Sequence, residues 1–191
     1  MKKPPEDLTE KLLAVSDQLT GTDLDVSVDD IAKMANVPRA TLYYYFSGKE
    51  DLLSFFLSDK LHRVSVAIGK AMAGEGPVVD RLENTLTAVM EAMAEHPALC
   101  TEMPGAVKEA AKYGEVVNEA ERVMLAPFRE LLIEGKASGE LAIEDVNTAS
   151  IALLGAVNMV AMFQLVQTGT LDVETTKASL IPLLIQGVLP R

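Results

Sequence analysis

The sequence has few of the residues on which most catalytic and metal sites depend. Its 191 residues include one Cys, two His and no Trp. Because a single cysteine, Cys100, cannot form an intrachain disulfide, the chain suits a reducing compartment, and we expect it in the cytoplasm. Neither histidine, His62 or His96, is clustered with other potential ligands, and Glu119 and Glu121 are two apart, a spacing that does not face them together on a helix. We therefore expect no enzyme, no metal and no cofactor.

Positive charge is also scarce. The chain has 17 Lys and Arg against 28 Asp and Glu, a formal net charge of -11. Since affinity for a phosphate backbone comes largely from Lys and Arg, this balance argues against binding to nucleic acid unless the cations are concentrated in one place. Residues 1–63 carry eight Lys or Arg against eleven Asp or Glu, whereas the rest carries nine against seventeen. Most of the acidity therefore lies in the C-terminal part.

The sequence lacks alternating strand patterns, and helical periodicity predicts an all-α fold of about nine helices. They are expected at about residues 6–19, 28–35, 38–46, 49–73, 78–95, 97–113, 115–137, 145–168 and 173–189. We expect an N-terminal three-helix domain over residues 1–50 and a C-terminal antiparallel helical domain over residues 51–191, with the helix 49–73 linking the two.

One apolar stretch is long enough to cross a membrane. Residues 146–171 carry no charge, and about 20 residues suffice to span a bilayer. However, the stretch contains two Asn and two Gln and lacks flanking Trp, Lys and Arg anchors. The N-terminus also has no apolar run typical of a signal peptide. We expect a helix buried in a protein interface and no membrane span.

Two short helices are predicted to meet at a three-residue turn. Ser27 is a suitable N-cap for the first of them. Asn36 ends that helix at a position that favours a left-handed backbone, and Pro38 then biases Val37 to an extended conformation. Farther on, Ser47 opens the S-x-x-E pattern of a capping box before the long fourth helix. Residues 31–42 are thus predicted to form helix, turn, helix.

Three consecutive tyrosines follow that turn. On a helix of about 3.6 residues per turn, Leu42 and Phe46 share one face, while Ala40, Thr41 and Tyr44 point the other way. The outward face is therefore small, hydroxyl-bearing and aromatic. In a helix-turn-helix such a face contacts bases and phosphates of the major groove; alternatively, the tyrosines pack under the first helix with their hydroxyls in water.

The stretch VSVDDIAKMANVPRATLYYYFSGKEDLLSFFL, residues 26–57, resembles the DNA-binding signature of TetR-type transcriptional regulators. The D-I-A-x-x-A helix, the turn, the T-L-Y-x-Y-F helix and the K-E-x-L segment follow at the spacing of that family. FRELLIEGKASGEL and the final helix pair are similar to its C-terminal half. The resemblance implies that the DNA-facing residues are Ser27, Arg39, Ala40, Thr41, Tyr43, Tyr44, Tyr45 and Lys49.

The resemblance also implies that the C-terminal half binds a small-molecule effector and forms a homodimer on double-stranded operator DNA. Apolar side chains suited to an adaptable pocket are spread over four predicted helices; the alternative is an ordinary Met-rich core. The candidate effector-binding residues are Met90, Met93, Met103, Met124, Phe128, Asn158, Met162 and Phe163. Asn158 and Gln164 are expected either to face the ligand or to bond across the dimer interface.

These expectations describe a ligand-responsive DNA-binding regulator, a repressor that a small apolar effector releases from a pseudo-palindromic operator. The alternative is a helical sensor or interaction protein on the same scaffold that does not bind DNA, as the acidic charge favours.

Overall fold

The structure is a computed structural model that describes residues 3–19, 26–97 and 118–190. These residues form eight α-helices and no strand, which confirms the all-α prediction. The helices are α1 (Glu6–Gln18), α2 (Val28–Met34), α3 (Arg39–Tyr45), α4 (Lys49–Met72), α5 (Val78–Glu95), α6 (Ala126–Ser138), α7 (Val146–Thr168) and α8 (Val173–Gln186). The predicted helix 97–113 lies almost wholly outside the described residues.

The predicted helix 115–137 is described only from residue 118, and there it departs from a regular α-helix. A π-helical turn, Glu121–Leu125, precedes α6. Pro127, at the beginning of α6, has no amide hydrogen to donate to the carbonyl four residues earlier. The wider π-helical turn before Pro127 accommodates this missing hydrogen bond. The sequence pattern is that of a continuous helix, so it did not indicate the π-helical turn.

The first three helices and the beginning of α4 share one hydrophobic core. Leu12, Ile31, Leu42 and Leu52 are fully buried in it, and Phe46 is nearly so. This burial explains why the short helices α2 and α3 form, since helices of seven residues are not stable alone.

The turn between α2 and α3 is a Schellman motif. Asn36 has φ 52°, the amide of Val37 donates to the carbonyl of Ala32 at 2.9 Å, and the amide of Asn36 donates to the carbonyl of Lys33 at 3.1 Å. The prediction of a left-handed Asn36 is confirmed. The motif fixes the direction in which α3 leaves α2.

The capping box predicted from Ser47 and Glu50 is wrong in its acidic partner. The N-cap of α4 is Gly48, so the third helical position is Asp51 rather than Glu50. The Asp51 carboxylate accepts from the Ser47 amide at 2.9 Å and from the Ser47 hydroxyl at 3.1 Å. A capping box opened by Ser47 would put the N-cap at residue 47, whereas the N-cap is residue 48. The acid that bonds back to Ser47 is therefore Asp51 instead of Glu50.

The second core joins the later part of α4 to α5, α6, α7 and α8. The change of core occurs within α4: Phe56 packs in the first core and Leu57 in the second. Buried Lys60 also connects the two parts, since its Nζ donates to the Ser16 carbonyl near the end of α1 at 3.1 Å. The predicted division at residues 50 and 51 stays a prediction, and α4 belongs to both cores.

Helix α7 is long and apolar enough, by length and composition, to cross a membrane, with a mean hydropathy of 1.9. Only 22% of its most apolar window is buried within the single chain. Gln164 on this helix donates to the Thr176 hydroxyl at 2.7 Å and accepts from the Asp172 amide at 3.1 Å. The expectation that Gln164 faces a ligand or a partner chain is wrong, because the α7–α8 turn satisfies its amide.

Candidate nucleic-acid interface

Helix α3 presents a polar and aromatic face to solvent. Leu42 and Phe46 are buried beneath it, whereas Tyr43 is 46% and Tyr44 60% exposed. Thr41 is partly buried, and Ala40 is exposed. The helical-wheel expectation is therefore confirmed for Leu42, Phe46, Ala40 and Tyr44, whereas Thr41 is only partly exposed. The alternative of tyrosines packed under α1 does not fit Tyr43 or Tyr44.

The third tyrosine supports the face rather than forming it. Tyr45 is partly buried and packs against the N-terminal core. Its ring meets that of Tyr44 edge to face, with 4.9 Å between centroids, a favourable aromatic geometry. Tyr45 thus orients the exposed ring beside it, and its predicted role at the DNA stays a prediction.

Arg39 begins α3 and is held by two neighbours. Its Nη1 donates to Asp29 Oδ2 at 2.7 Å, its Nη2 lies 3.4 Å from the Tyr43 hydroxyl, and its Cζ lies 5.1 Å from the centre of the Tyr43 ring. The hydrogen bond with Tyr43 and the charge of Asp29 raise the pKa of Arg39, so the guanidinium is cationic at every relevant pH. This cation lies at the N-terminal end of the exposed face.

The beginning of α2 lies beside this cation. Ser27 caps the helix by accepting from the Asp30 amide at 3.2 Å, which confirms it as the N-cap. Its hydroxyl donates to the Asp30 carboxylate at 2.5 Å, and this bond, followed by that from Lys33, lowers the pKa of Asp30. The exposed Ser27 also suits a hydrogen bond to a phosphate, a role that stays a prediction.

Lys49 provides a second cation at the other end of α3. It is the first residue of α4 and is partly exposed, and its side chain makes no ion pair with any residue that the structure describes. Its ammonium is thus available for a phosphate. A helix N-terminus adds partial positive charge from its unpaired amides at the same place.

An open groove of about 560 Å³ runs between α2, the turn and α3. It is lined by Asp29, Ala32, Lys33, Asn36, Val37, Pro38 and Arg39. The groove therefore lies on the same surface as the exposed face of α3. We call this surface, formed by Ser27, Asp29, Arg39, Ala40, Thr41, Tyr43, Tyr44 and Lys49, the recognition surface.

Sequence reasoning missed one residue of this surface. Asp29 is not among the predicted DNA-facing residues, yet its carboxylate pairs with Arg39 ten residues later. A helical pattern relates residues three and four apart, and it does not show which side chains meet across a turn. The one available signal was an acid at the beginning of α2 together with a base at the beginning of α3.

The candidate effector residues do not lie in one environment. Met90, Met93 and Phe128 are buried in the second core, and Met124 packs against its edge. Asn158 and Met162 on α7 are partly buried. Met103 lies outside the described residues. All eight assignments stay predictions.

Phe163 and Met159 lie on the outside of the chain. Phe163 is 59% and Met159 52% exposed. A ligand contact from Phe163 would have to form at a surface of the single chain rather than within its core. Within the described residues, no group of three or more His, Cys, Asp or Glu could hold a metal ion.

Comparison with known proteins gives matches along most of the chain. Residues 23–54 match the family described as bacterial regulatory proteins, tetR family. Residues 75–188 match the family described as tetracyclin repressor-like, C-terminal domain. A curated relative, the uncharacterized HTH-type transcriptional regulator YhgD of Bacillus subtilis (strain 168), is 26% identical over 120 residues, which are 60% of this chain and 61% of that protein. The chain thus matches less than two thirds of the length of this relative.

Solved structures share the whole fold. The fatty acid degradation regulator FadR from Bacillus halodurans is 23% identical, with a TM-score of 0.81 over 97% of this chain and 98% of its own. The transcriptional regulator FadR from Bacillus subtilis, solved in complex with stearoyl-CoA, is 20% identical, with a TM-score of 0.74 over 95% of this chain and 97% of its own. At sequence identities of 23% and 20%, the similarity of these structures establishes a shared fold.

Proposed function

Because the chain belongs to the TetR family of bacterial regulatory proteins, we propose that it is a repressor that binds a pseudo-palindromic operator as a homodimer and is released by a small-molecule effector. Members of this family are transcription regulators rather than enzymes. The observation that carries the proposal is the recognition surface. On α3, the second helix of the helix-turn-helix, Tyr43 and Tyr44 are exposed to solvent. Arg39 lies at one end of this exposed face and Lys49 at the other.

The chemistry of this surface suits duplex DNA. Arg39 has the donor geometry that pairs with a guanine edge, while Thr41 and Tyr43 offer hydroxyls for phosphates or bases. Lys49 and the amides at the beginning of α4 supply a phosphate contact. Although residues 1–63 are net acidic, Arg39 and Lys49 both lie at this surface, so the local field there favours a polyanion more than the net charge implies.

Dimerisation is supported by an exposed apolar stripe on α7. Its large members recur at intervals of three to eight residues and are Ile151, Met159, Phe163 and Val166, between 52% and 75% exposed. Leu183 on the neighbouring α8 is 68% exposed. Apolar surface of this kind marks an interface, and two such helix pairs form a four-helix bundle. We propose that a second copy, rather than a lipid bilayer, covers the stripe and that the protein is cytoplasmic.

The effector is proposed to be a molecule with a long apolar part. Buried methionines on α5 can adapt to such a chain, and a solved structure with the same fold is a complex with stearoyl-CoA. A fatty acyl thioester is therefore the first compound to test. Since α4 packs in both cores, a ligand that favours another position of α4 changes the separation of the two recognition surfaces.

The test is fluorescence anisotropy of the purified protein with the intergenic DNA beside its own gene, using scrambled DNA as competitor, at two salt concentrations. We expect selective binding that weakens as salt rises. Addition of stearoyl-CoA should release the DNA while the protein remains a dimer; coenzyme A alone is the control. Equal or absent binding to both DNAs would contradict the repressor proposal and favour a sensor that does not bind DNA.

A further inference from the structure

The carboxylate of Asp29 occupies an unexpected place on the recognition surface. A negative charge there repels the phosphates of DNA, and in this respect Asp29 weakens binding to any sequence. Yet it contacts the Arg39 guanidinium at 2.7 Å, from the first turn of α2 to the beginning of α3. The two side chains are 40% and 62% exposed, so the pair contributes little to stability. The pair matters more for how it holds the Arg39 side chain than for the stability of the fold.

Asp29 restrains one edge of the guanidinium while Tyr43 restrains another part. The Asp29 carboxylate accepts a hydrogen bond from Nη1 of Arg39, and the Tyr43 hydroxyl lies 3.4 Å from Nη2, with the Tyr43 ring beneath the guanidinium. A free Arg side chain has about 2 kcal/mol of rotamer entropy to lose when it binds. Two partners that hold it beforehand reduce that loss, and they select the direction in which the remaining N–H donors point.

Direction matters for base discrimination more than for phosphate attraction. A bidentate contact to a guanine edge needs two donors at a fixed angle and position, whereas attraction to a phosphate survives rotation of the side chain. We propose that Asp29 is a positioning residue that sets sequence selectivity by orienting Arg39, at the expense of general affinity for DNA. The inference rests on the proposed DNA-binding function and assigns it a further residue.

The test compares selectivity, which is the ratio of the dissociation constants for scrambled and operator DNA. The operator is the duplex that the wild-type protein selects from a random-sequence pool. For Asp29→Ala, which removes both the charge and the oxygen that accepts from Arg39, we expect tighter binding to scrambled DNA because a repulsive charge is removed. We also expect selectivity to fall roughly fivefold, near the lower end of what one bidentate Arg contact provides.

Two further variants separate orientation from charge. Glu50→Gln removes one carboxylate from the first turn of α4, away from Arg39, and should leave selectivity unchanged. In an Arg39→Ala background, Asp29→Ala should no longer alter selectivity, because Asp29 acts through Arg39. Thermal melts of all variants verify that the exposed substitutions leave the fold intact.

The outcomes distinguish this inference from the proposed function. If the wild-type protein selects no sequence, both are overturned. If it does select one, the inference alone is overturned by any of three results: unchanged selectivity in Asp29→Ala, an equal fall in Glu50→Gln, or an equal fall in the Arg39→Ala background. A fall confined to Asp29→Ala with Arg39 present establishes the positioning role.

Discussion

At the scale of single residues, the two cations of the recognition surface are expected to contribute differently. Arg39→Ala removes a forked donor and should reduce discrimination between operator and scrambled DNA by about 1–3 kcal/mol. Lys49→Ala removes a point charge and should weaken binding to both DNAs similarly while lowering the slope of log affinity against log salt by about 1. Anisotropy titrations at several salt concentrations measure both effects.

A matched control is Lys70→Ala, which removes an exposed Lys from the far end of α4. It should alter neither selectivity nor the salt slope. If Lys70→Ala and Lys49→Ala reduce the slope equally, Lys49 has no direct phosphate contact and acts only through net charge.

Residue positions on a single helix could be predicted from the sequence, whereas partners across a turn could not. The wheel correctly separated Leu42 and Phe46 from Tyr44, because exposure on one helix follows from its period. The contact of Asp29 with Arg39 depends on the crossing of two helices, and the bonds of Gln164 depend on how α8 returns along α7. The periodicity of a sequence does not show how two helices cross or how one returns along another.

At the scale of secondary-structure elements, the loop after α6 is packed against the beginning of α5. A Cβ at Gly135 would lie 2.5 Å from Leu141 Cδ1 and 2.8 Å from Val78 Cγ1. The Glu140 carboxylate also accepts from the Val78 amide at 2.7 Å and so caps α5 from a distant part of the chain. The segment FRELLIEGKASGEL resembles the C-terminal half of the family, and these contacts give its first Gly and its second Glu-Leu a structural role.

Gly135→Ala should therefore destabilise the fold by roughly 1–3 kcal/mol, because overpacking outweighs the better helix propensity of alanine. Denaturant unfolding measures the change. The control is Gly69→Ala within α4, where an added Cβ meets nothing within 4 Å, and which should stabilise by about 0.5–1 kcal/mol. A Gly135→Ala protein that is stabilised as much as the control would show that Leu141 moves aside without cost.

The helix N-caps predict a dependence of stability on pH. Bonds from the Thr148 hydroxyl and then the Asn147 amide lower the pKa of Asp145 at the beginning of α7. The Thr175 amide and hydroxyl lower that of Asp172 at the beginning of α8. Since the folded pKa lies below the unfolded value of about 3.9, each carboxylate stabilises the fold fully above that value and loses its contribution as pH falls through the folded pKa.

We expect the melting temperature to decrease below about pH 4, where these carboxylates become protonated. Asp145→Asn keeps a capping oxygen but loses the charge, so its deficit relative to wild type should shrink as pH decreases. Glu144→Gln, a change at the adjacent exposed carboxylate, is the control for general charge. An Asp145→Asn deficit that is constant from pH 7 to pH 3 would contradict the role of ionisation.

Element boundaries show where sequence patterns succeed and where they do not. Seven of the predicted helices have their counterparts within two or three residues, because apolar periodicity, Pro and Gly mark their ends. The π-helical turn before α6 and the shifted cap of α4 were missed. Both depend on which amide bonds to which carbonyl, and residue types alone permit more than one answer.

At the scale of the whole molecule, the exposed stripe on α7 makes the proposed dimer a condition for operator binding. A half-site contacted by one recognition surface contributes only part of the affinity, and two surfaces must reach successive major grooves about 34 Å apart. Phe163→Glu places a charge in the middle of the stripe. It should convert the dimer to a monomer in analytical ultracentrifugation and abolish tight operator binding without lowering the helical content.

The control for this substitution is Ile133→Glu on α6, where another apolar side chain is 56% exposed outside the stripe. It adds the same charge and should leave both the dimer and operator binding unchanged. Because α7 also has the composition of a membrane span, sedimentation is measured without detergent and again with liposomes. A Phe163→Glu protein that remains a dimer would place the interface elsewhere, whereas wild-type protein that partitions into liposomes would show that lipid, rather than a second copy, covers α7.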